Sequence, residues 1–412
     1  MSAAPEQRFD ALGKVALFGP DEPKAGSERM RGPVHATPYV WTAPESIPVR
    51  QWLHGRHLIR KFVSATVAPG GVGKSSLGIA EALAMVSGRN LLGMTLPNVG
   101  ALRTWYLNLE DPREEVTRQI QAAAKYHHLG PADLGDRLYL DSGREQEFVI
   151  AETQREGAVI CWPVVESLIA EMRARRIDVI LVDPFVSSHT VVENDNNAMD
   201  LVVKQWGKIA DAANAAVHLI HHTRKQSGGE SEVTAESSRG GKALTDGCRS
   251  VRTINRMTKE EGEKAGVENH RLFFRTYNDK ANLAPPSDRS DWYELKGVSL
   301  GNGGAHPSDE VGVVTRWEWP DAYIDVVPGD LHRIQVGIHQ GQWKESSQAA
   351  NWAGKAVAEV LGLDLTDTGA KAKVKGLLKD WIAGGALKVV SRPDRHRRAC
   401  PFIEVGEWSD AG

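Results

Sequence analysis

Cysteine is scarce in this chain. Cys161, Cys248 and Cys400 are the only three in 412 residues, far apart, with no C-x-x-C spacing and no Cys/His ligand pattern. This argues against a disulfide scaffold or a zinc module and fits a reducing compartment, the cytoplasm. Long apolar runs are missing as well. No stretch approaches the roughly 20 residues that a bilayer-spanning helix needs, and residues 1–26 carry charges throughout, without the apolar centre of a secretory signal. No membrane partner is expected. Nor is there a large net charge: 50 basic against 53 acidic residues give −3. The whole molecule is therefore no evident polyanion binder, although a local basic patch can still contact nucleic acid. What remains is ordinary for a globular protein, 41% hydrophobic and 25% charged. The length suits one large α/β domain and a smaller one.

Residues 1–45 are rich in Pro, Gly, Ala and charge without a sustained period, and read as a flexible N-terminal arm suited to contacts between subunits. The pattern then becomes strand, glycine loop, helix: Phe62–Val67, the loop, and Lys74–Ser87. Ala101–Leu109 alternates as a buried strand and is followed by a helix entered at Pro112 and running to about His128. Ile177–Val182 is a continuous apolar run of the kind found in central parallel strands, followed by a helix over 197–213 and a strand over 216–220. Strands alternating with helices predict a parallel sheet covered on both faces. Arg249–Asn255, His270–Thr276 and Trp292–Lys296 read as later strands, and Glu260–Glu268 as a charged connector. The main domain is expected over 46–300, with a linker over 301–327. From 328 a different unit is expected: helices over 348–361 and 368–383, then strands over 386–390 and 401–405 around a charged turn, the order of a winged-helix module.

Residues 68–75, Ala-Pro-Gly-Gly-Val-Gly-Lys-Ser, carry the strongest chemical signal. A phosphate needs closely spaced backbone N–H donors, and Gly70, Gly71 and Gly73 let the backbone wrap around it without Cβ clashes. The helix beginning at Lys74 adds the positive end of its dipole. The cradle comprises Pro69, Gly70, Gly71, Val72, Gly73, Lys74, Ser75 and Ser76, with Lys74 reaching the β and γ phosphates and Ser75 holding Mg²⁺. Ala68 stands where the usual pattern has Gly, at the strand exit. The implied substrate is ATP or a close relative.

Three further positions fall at strand ends. Asp183 is placed to hold the Mg²⁺ shell opposite Ser75, because nucleotide sites of such sheets lie at the carboxyl ends of strands. Glu110 is the candidate general base; Asp111 competes for that role or caps the next helix. His222 can hydrogen-bond near the γ phosphate, while strand alternation turns the adjacent His221 the other way.

With these residues in place, the stretch from about 62 to 297, a little over half the chain, resembles the plasmid replicative helicase RepA and its relatives, hexameric ring motors with a RecA-like core. The strings that carry the resemblance are APGGVGKS, the EDP of Glu110–Pro112, the strand end at Asp183, and His189 with Glu193-Asn194. They continue with HHTRK over 221–225, SRG over 238–240 and FFRTYNDKAN over 273–282. The resemblance implies Lys74 and Ser75 on phosphate and Mg²⁺, Glu110 as base, Asp183 as the metal-side acid and His222 as γ-phosphate sensor. It implies Arg275 as an arginine finger offered to a neighbouring subunit, with Lys280 close to the nucleotide. Asn282 stands where related helicases carry a second cation, which leaves Arg275 and Lys280 both open as the finger. The segment 225–238, flanked by Lys225 and Arg239, would face a central channel and single-stranded DNA. Its interior carries Glu230, Glu232 and Glu236 and no aromatic platform, a departure from a strongly gripping loop.

Beyond that stretch, residues 371–398 hold nine basic side chains against two acidic ones. Lys373, Lys375, Lys379, Arg395, Arg397 and Arg398 are candidate DNA contacts, with 368–383 as recognition helix. The first functional expectation is an ATP-driven, homo-oligomeric ring helicase on single-stranded DNA, with a primase or initiator as a further candidate partner. The alternative is a non-translocating ATPase switch that loads or regulates a replication or recombination protein on DNA.

Overall fold

The computed structural model describes residues 8–9, 15–16, 35–94, 100–223, 232–234, 241–284, 290–393 and 398–409. The chain forms two units, Met1–Val49 and Arg50–Gly412. In the first, Arg8–Phe9 pairs antiparallel with Val15–Ala16, and Tyr39, Val40, Trp41 and Val49 are exposed on an extended strip.

The second unit opens with a short hairpin, β1 (Trp52–His54) and β2 (Leu58–Ile59). The next elements are β3 (Val63–Ala68), α1 (Lys74–Ser87), β4 (Thr104–Asn108), α2 (Arg113–Tyr126) and β5 (Leu138–Ser142). A hairpin follows, β6 (Ala151–Gln154) with β7 (Gly157–Ile160), then α3 (Trp162–Ala174), β8 (Val179–Asp183), α4 (Asn196–Ala213) and β9 (Ala216–His222). The core closes with α5 (Gly241–Gly247), β10 (Ser250–Arg256), α6 (Lys259–Ala265), β11 (Phe273–Ala281), β12 (Asp291–Ser299) and β13 (Glu310–Trp317).

Among the described residues one nine-stranded sheet runs in the order β13-β12-β11-β10-β3-β9-β8-β4-β5. From β10 to β5 every pairing is parallel, and β11, β12 and β13 extend it antiparallel. This is a mixed, mainly parallel α/β sheet, with the glycine-loop strand β3 near its centre. Side chains alternate across a strand, so Val63, Ala65, Val67, Val217, Leu219 and Val251 face the apolar layer under α4. The intervening residues face α1. In the middle of that face they are polar and buried: Ser64, Thr66, His218, Ser250 and Arg252.

Against expectation, the segment 301–327 is not a linker throughout, because Glu310–Trp317 pairs along its length with β12 and edges the sheet. The charged stretch at 260 is likewise no mere connector but helical. Thr258 caps α6 by accepting from the Glu261 N–H, and the Glu261 carboxylate accepts in return from the Thr258 N–H.

From Pro328 the chain builds a separate apolar cluster. Its elements are α7 (Pro328–Gln340), β14 (Trp343–Lys344), α8 (Gly354–Leu361), α9 (Thr368–Ala383), β15 (Leu387–Pro393) and β16 (Ala399–Val405). The helix expected from 348 begins only at Gly354. The three strands form a sheet in the order β14-β16-β15. Val374, Leu377, Leu378 and Trp381 of α9 pack with Ile334, Trp352, Val357 and Leu387. The module touches the core where Gly266, the left-handed cap of α6 with φ +71°, meets α9; a Cβ there would lie 2.7 Å from Gly369 Cα.

Candidate functional site

The phosphate loop leaves β3 after Ala68 and enters α1 at Lys74. Gly71 and Gly73 hold φ of +67° and +101°. The loop needs glycine at 73 for a second reason: a Cβ there would crowd the side chains of Phe274 and Leu295, both at 3.2 Å. Behind the loop Val72 packs with Ile254, Phe274 and Tyr293, so the antiparallel extension is its floor. On the open side, a Cβ on Gly70 would meet no atom within 4 Å. Pro69, Ser75 and Ser76 are half-buried and Gly70 is exposed.

Strand parity puts Asp183 and His222 on the α1 face of the sheet. On β8, Val179 and Leu181 face α1, hence so does Asp183; on β9, His218 faces α1 and His222 follows it by two full alternations. Asp183 is 1% exposed. Its carboxylate accepts from the Tyr106 hydroxyl at 2.7 Å, and the same hydroxyl lies 3.4 Å from the Ser75 carbonyl oxygen. Tyr106 thus ties the end of β8 to the first turn of α1, a link with no signal in the sequence. Burial, and next the Asp183 charge, hold the Tyr106 phenol well above its ordinary pKa, so it stays a donor. His222 pairs in register with Ala68 at the loop entrance. His221 turns away as alternation requires and packs its ring 5.5 Å from Phe185.

Asn108 ends β4 and accepts from the N–H groups of Glu110 and Asp111, at 3.0 and 2.7 Å. This turn fixes the backbone of both residues at the carboxyl end of β4. Glu110 is exposed, while Asp111 is half-buried and close enough to Tyr106 to raise its pKa. Asp111 does not cap α2; Pro112 occupies that position.

The donor set fits a bound polyanion and a counter-ion. Among the described residues, Lys74, 9% exposed, has no anionic partner and the buried Asp183 has no cationic one. Buried charges are stable only when paired, which suits an anionic ligand at Lys74; Asp183 and Ser75 are the residues that would hold a divalent ion, which would offset charge on that ligand.

Residues 33–228 match a family model described as an AAA domain. Solved structures of similar fold include one titled "Crystal structure of the RadB recombinase", at TM-score 0.38 and 14% identity, covering 57% of this chain and 88% of that one. Another is titled as an ATPase domain, at TM-score 0.40 and 11% identity, covering 57% of this chain and 82% of that one. The family match spans a little under half of this chain and takes in the glycine loop between β3 and α1. Among the described residues no helix is long and apolar enough to cross a membrane.

The other residues singled out from the sequence are scattered. Arg275 is held within its own chain: it pairs with Glu261 and, at 2.8 Å, with Glu232, and lies 5.4 Å from the centre of the Trp292 ring. Lys280 donates to the Thr245 and Asp246 carbonyls at the end of α5, at 2.6 and 3.3 Å, and so holds that helix end within its own chain. Lys373 donates to the Ile324 carbonyl, because its side chain points back to the segment preceding α7. Lys375 and Lys379 are exposed one turn apart on α9, and Arg398 is exposed beyond β15. Lys225, Arg239, Arg395 and Arg397 lie outside the described residues.

Sequence reasoning missed a buried polar network beneath α1. Arg252 donates to both oxygens of Glu81 at 2.5 and 2.6 Å, and through Nε to Thr66 Oγ1 at 2.8 Å. His218 shares a 2.7 Å hydrogen bond with Thr66, His57 a 2.8 Å bond with Ser250, and His54 lies 3.7 Å from Glu81. Burial pushes the His218 imidazole down to about 3 and His57 well below the ordinary value. Burial alone would raise Glu81, but the Arg252 charge and hydrogen bonds outweigh it and bring the carboxyl to about 2. The network locks the phosphate helix to β3, β9, β10 and the β1–β2 hairpin.

Proposed function

We propose that this chain is an ATP-driven DNA motor of the ring-forming kind, a replicative helicase of a plasmid, phage or integrated element. One observation carries the reading. A single chain joins a phosphate-loop core, with Lys74 and Asp183 buried, to a helix–strand–helix–helix–hairpin module whose third helix exposes Lys375 and Lys379. That element order supports a winged helix with α9 as the DNA-facing helix. The resemblance to RepA-like motors supports the assembly of copies into a ring.

In this reading the loop N–H groups and Lys74 hold the triphosphate of ATP, and Ser75 with Asp183 hold Mg²⁺, which neutralises charge on the phosphates when bound. Glu110 or Asp111, set by the Asn108 turn, takes the proton of the attacking water. His222 sits at the loop entrance to sense the γ phosphate. Arg275 supplies a neighbour's site only if assembly displaces Glu232 and Glu261.

The capture of Arg275 by two carboxylates of its own chain favours a second reading, a non-translocating ATPase switch tethered to DNA. Hydrolysis assays with and without single-stranded DNA, together with a tailed-duplex assay, separate the two. A motor shows DNA-stimulated hydrolysis and strand separation; a switch binds DNA without separating strands. Lys74→Ala abolishes hydrolysis in both, and Arg275→Ala abolishes it only if the finger is used. Full turnover by Lys74→Ala would overturn the nucleotide site itself.

A further inference from the structure

Arg256 is the last residue of β10, and no motif singles it out. The pairing of β10 with β3 ends at Thr253 opposite Val67, so the end of β10 overhangs the loop that leaves β3. Ile254 of the same strand faces α1 in the cluster that contains Ala68, Val72 and Leu77, and by alternation Arg256 shares that face. Its guanidinium donates through Nη2 to the carbonyl of Gly71 and, at 3.4 Å, to that of Gly70. On the other side Arg256 is in register with Phe274, part of the floor under Gly73.

A trans peptide points its C=O and the following N–H in opposite directions. A cation that draws the Gly70 and Gly71 carbonyls to one side therefore turns the N–H groups of Gly71 and Val72 to the other. Those are donors of the phosphate cradle. The same positive charge lies behind the two peptide dipoles and reinforces their attraction for an anion.

We propose that Arg256 is a positioning residue that presets the phosphate loop from behind, acting on nucleotide affinity and not on the chemical step. The inference rests on the reading of residues 68–75 as a nucleotide site. It gives Arg256 a different task from Arg275: to work within its own subunit on the bound state of ADP and ATP alike.

The test uses the full chain, fluorescent ADP and ATP analogues for equilibrium binding, and steady-state hydrolysis. Arg256→Ala is expected to weaken both analogues by about tenfold, the size of one charge-assisted hydrogen bond, and to raise KM with kcat within about twofold. Arg256→Lys, which keeps the charge without the fork, recovers part of the affinity. Arg256→Gln, which keeps donors without the charge, recovers less. Because the side chain is exposed, all three variants should melt near the parent temperature; an Ala variant that does not fold is replaced in the comparison by Gln against Lys. Unchanged affinity in Arg256→Ala, or in Gln if Ala does not fold, overturns the inference, as does a fall in kcat at constant KM. If the parent chain binds neither analogue, the nucleotide reading fails instead, and the two failures are distinct.

Discussion

Beneath α1 the core buries Glu81, Arg252, His54, His57 and His218, whereas the C-terminal module fills its interior mainly with Val374, Leu377, Leu378, Trp381, Ile334 and Trp352. The two interiors hold their helices by different physics. Apolar packing is non-directional and tolerates volume-conserving exchange. A bidentate guanidinium–carboxylate pair tolerates one geometry. The directional kind lies under α1, which leads out of the glycine loop, and the permissive kind lies under α9, which exposes Lys375 and Lys379. Buried ion pairs are poor sources of net stability, so the network is better understood as fixing the register of α1 than as strengthening the fold.

The largest effect should come from halving that pair. Arg252→Ala leaves Glu81 charged and enclosed, and the expected loss is about 3–5 kcal/mol, read from denaturant unfolding. Replacing Glu81 and Arg252 together with methionine should restore most of the stability but not the nucleotide affinity of the parent. Parent-like affinity in the double variant would show that α1 does not need the pair for its placement.

Next in size is a cut in the other interior. Leu377→Ala, at a fully buried site of α9, should cost about 2–5 kcal/mol. It should weaken DNA binding while leaving nucleotide affinity unchanged. If nucleotide affinity falls equally, the two interiors are coupled through the Gly266–Gly369 contact and the contrast dissolves.

Acid should separate them with a smaller, graded effect. The buried imidazoles titrate below the ordinary 6.5, His218 at about 3, so between those values the unfolded chain binds more protons than the folded one. Stability therefore falls as pH drops from 6.5 towards 3. Glu81 adds a second loss as pH drops from its ordinary 4.5 to about 2. Melting temperature followed from pH 7 downwards should fall, and the fall should be shallower in His218→Asn. Identical profiles would show that this histidine does not set the acid limit.

What the sequence made legible was local. The spacing of Gly70, Gly71, Gly73, Lys74 and Ser75 is a short-range pattern, and α1 and α9 run over the residues expected because Gly88 and Asp367 end and begin them with standard cap geometry. Glu310–Trp317 was missed because Gly301–Pro307 has the composition of a linker. It is a structured connection in which the Ser308 hydroxyl accepts from the Gly301 N–H at 2.6 Å, turning the chain back onto β12. Arg252 and Glu81 stand 171 residues apart and Arg256 stands 185 from Gly71, separations at which no periodicity or motif reports proximity. Arg275 was read from its string and not from its neighbours, and Glu261 in the adjoining helix is what that reading could not include.

The smallest expected change in stability belongs to the surface of α9, and it bears most directly on function. Lys375 and Lys379 are exposed, so Lys375→Ala with Lys379→Ala should move stability by no more than about 0.5 kcal/mol per site. If α9 meets DNA, the double variant leaves up to two phosphates without their cation. The slope of log affinity against log salt should then flatten by about 0.7 to 0.9 for each phosphate no longer neutralised, the lower figure for single strands and the higher for duplex. Fluorescence anisotropy with a labelled oligonucleotide over a salt series measures this slope. Lys373→Ala is the internal control, since its amine already serves the Ile324 carbonyl and its removal should leave the slope unchanged. A slope that flattens for Lys373 but not for Lys375 and Lys379 would move the DNA-facing surface off this side of α9 and remove the main support for a DNA-bound motor.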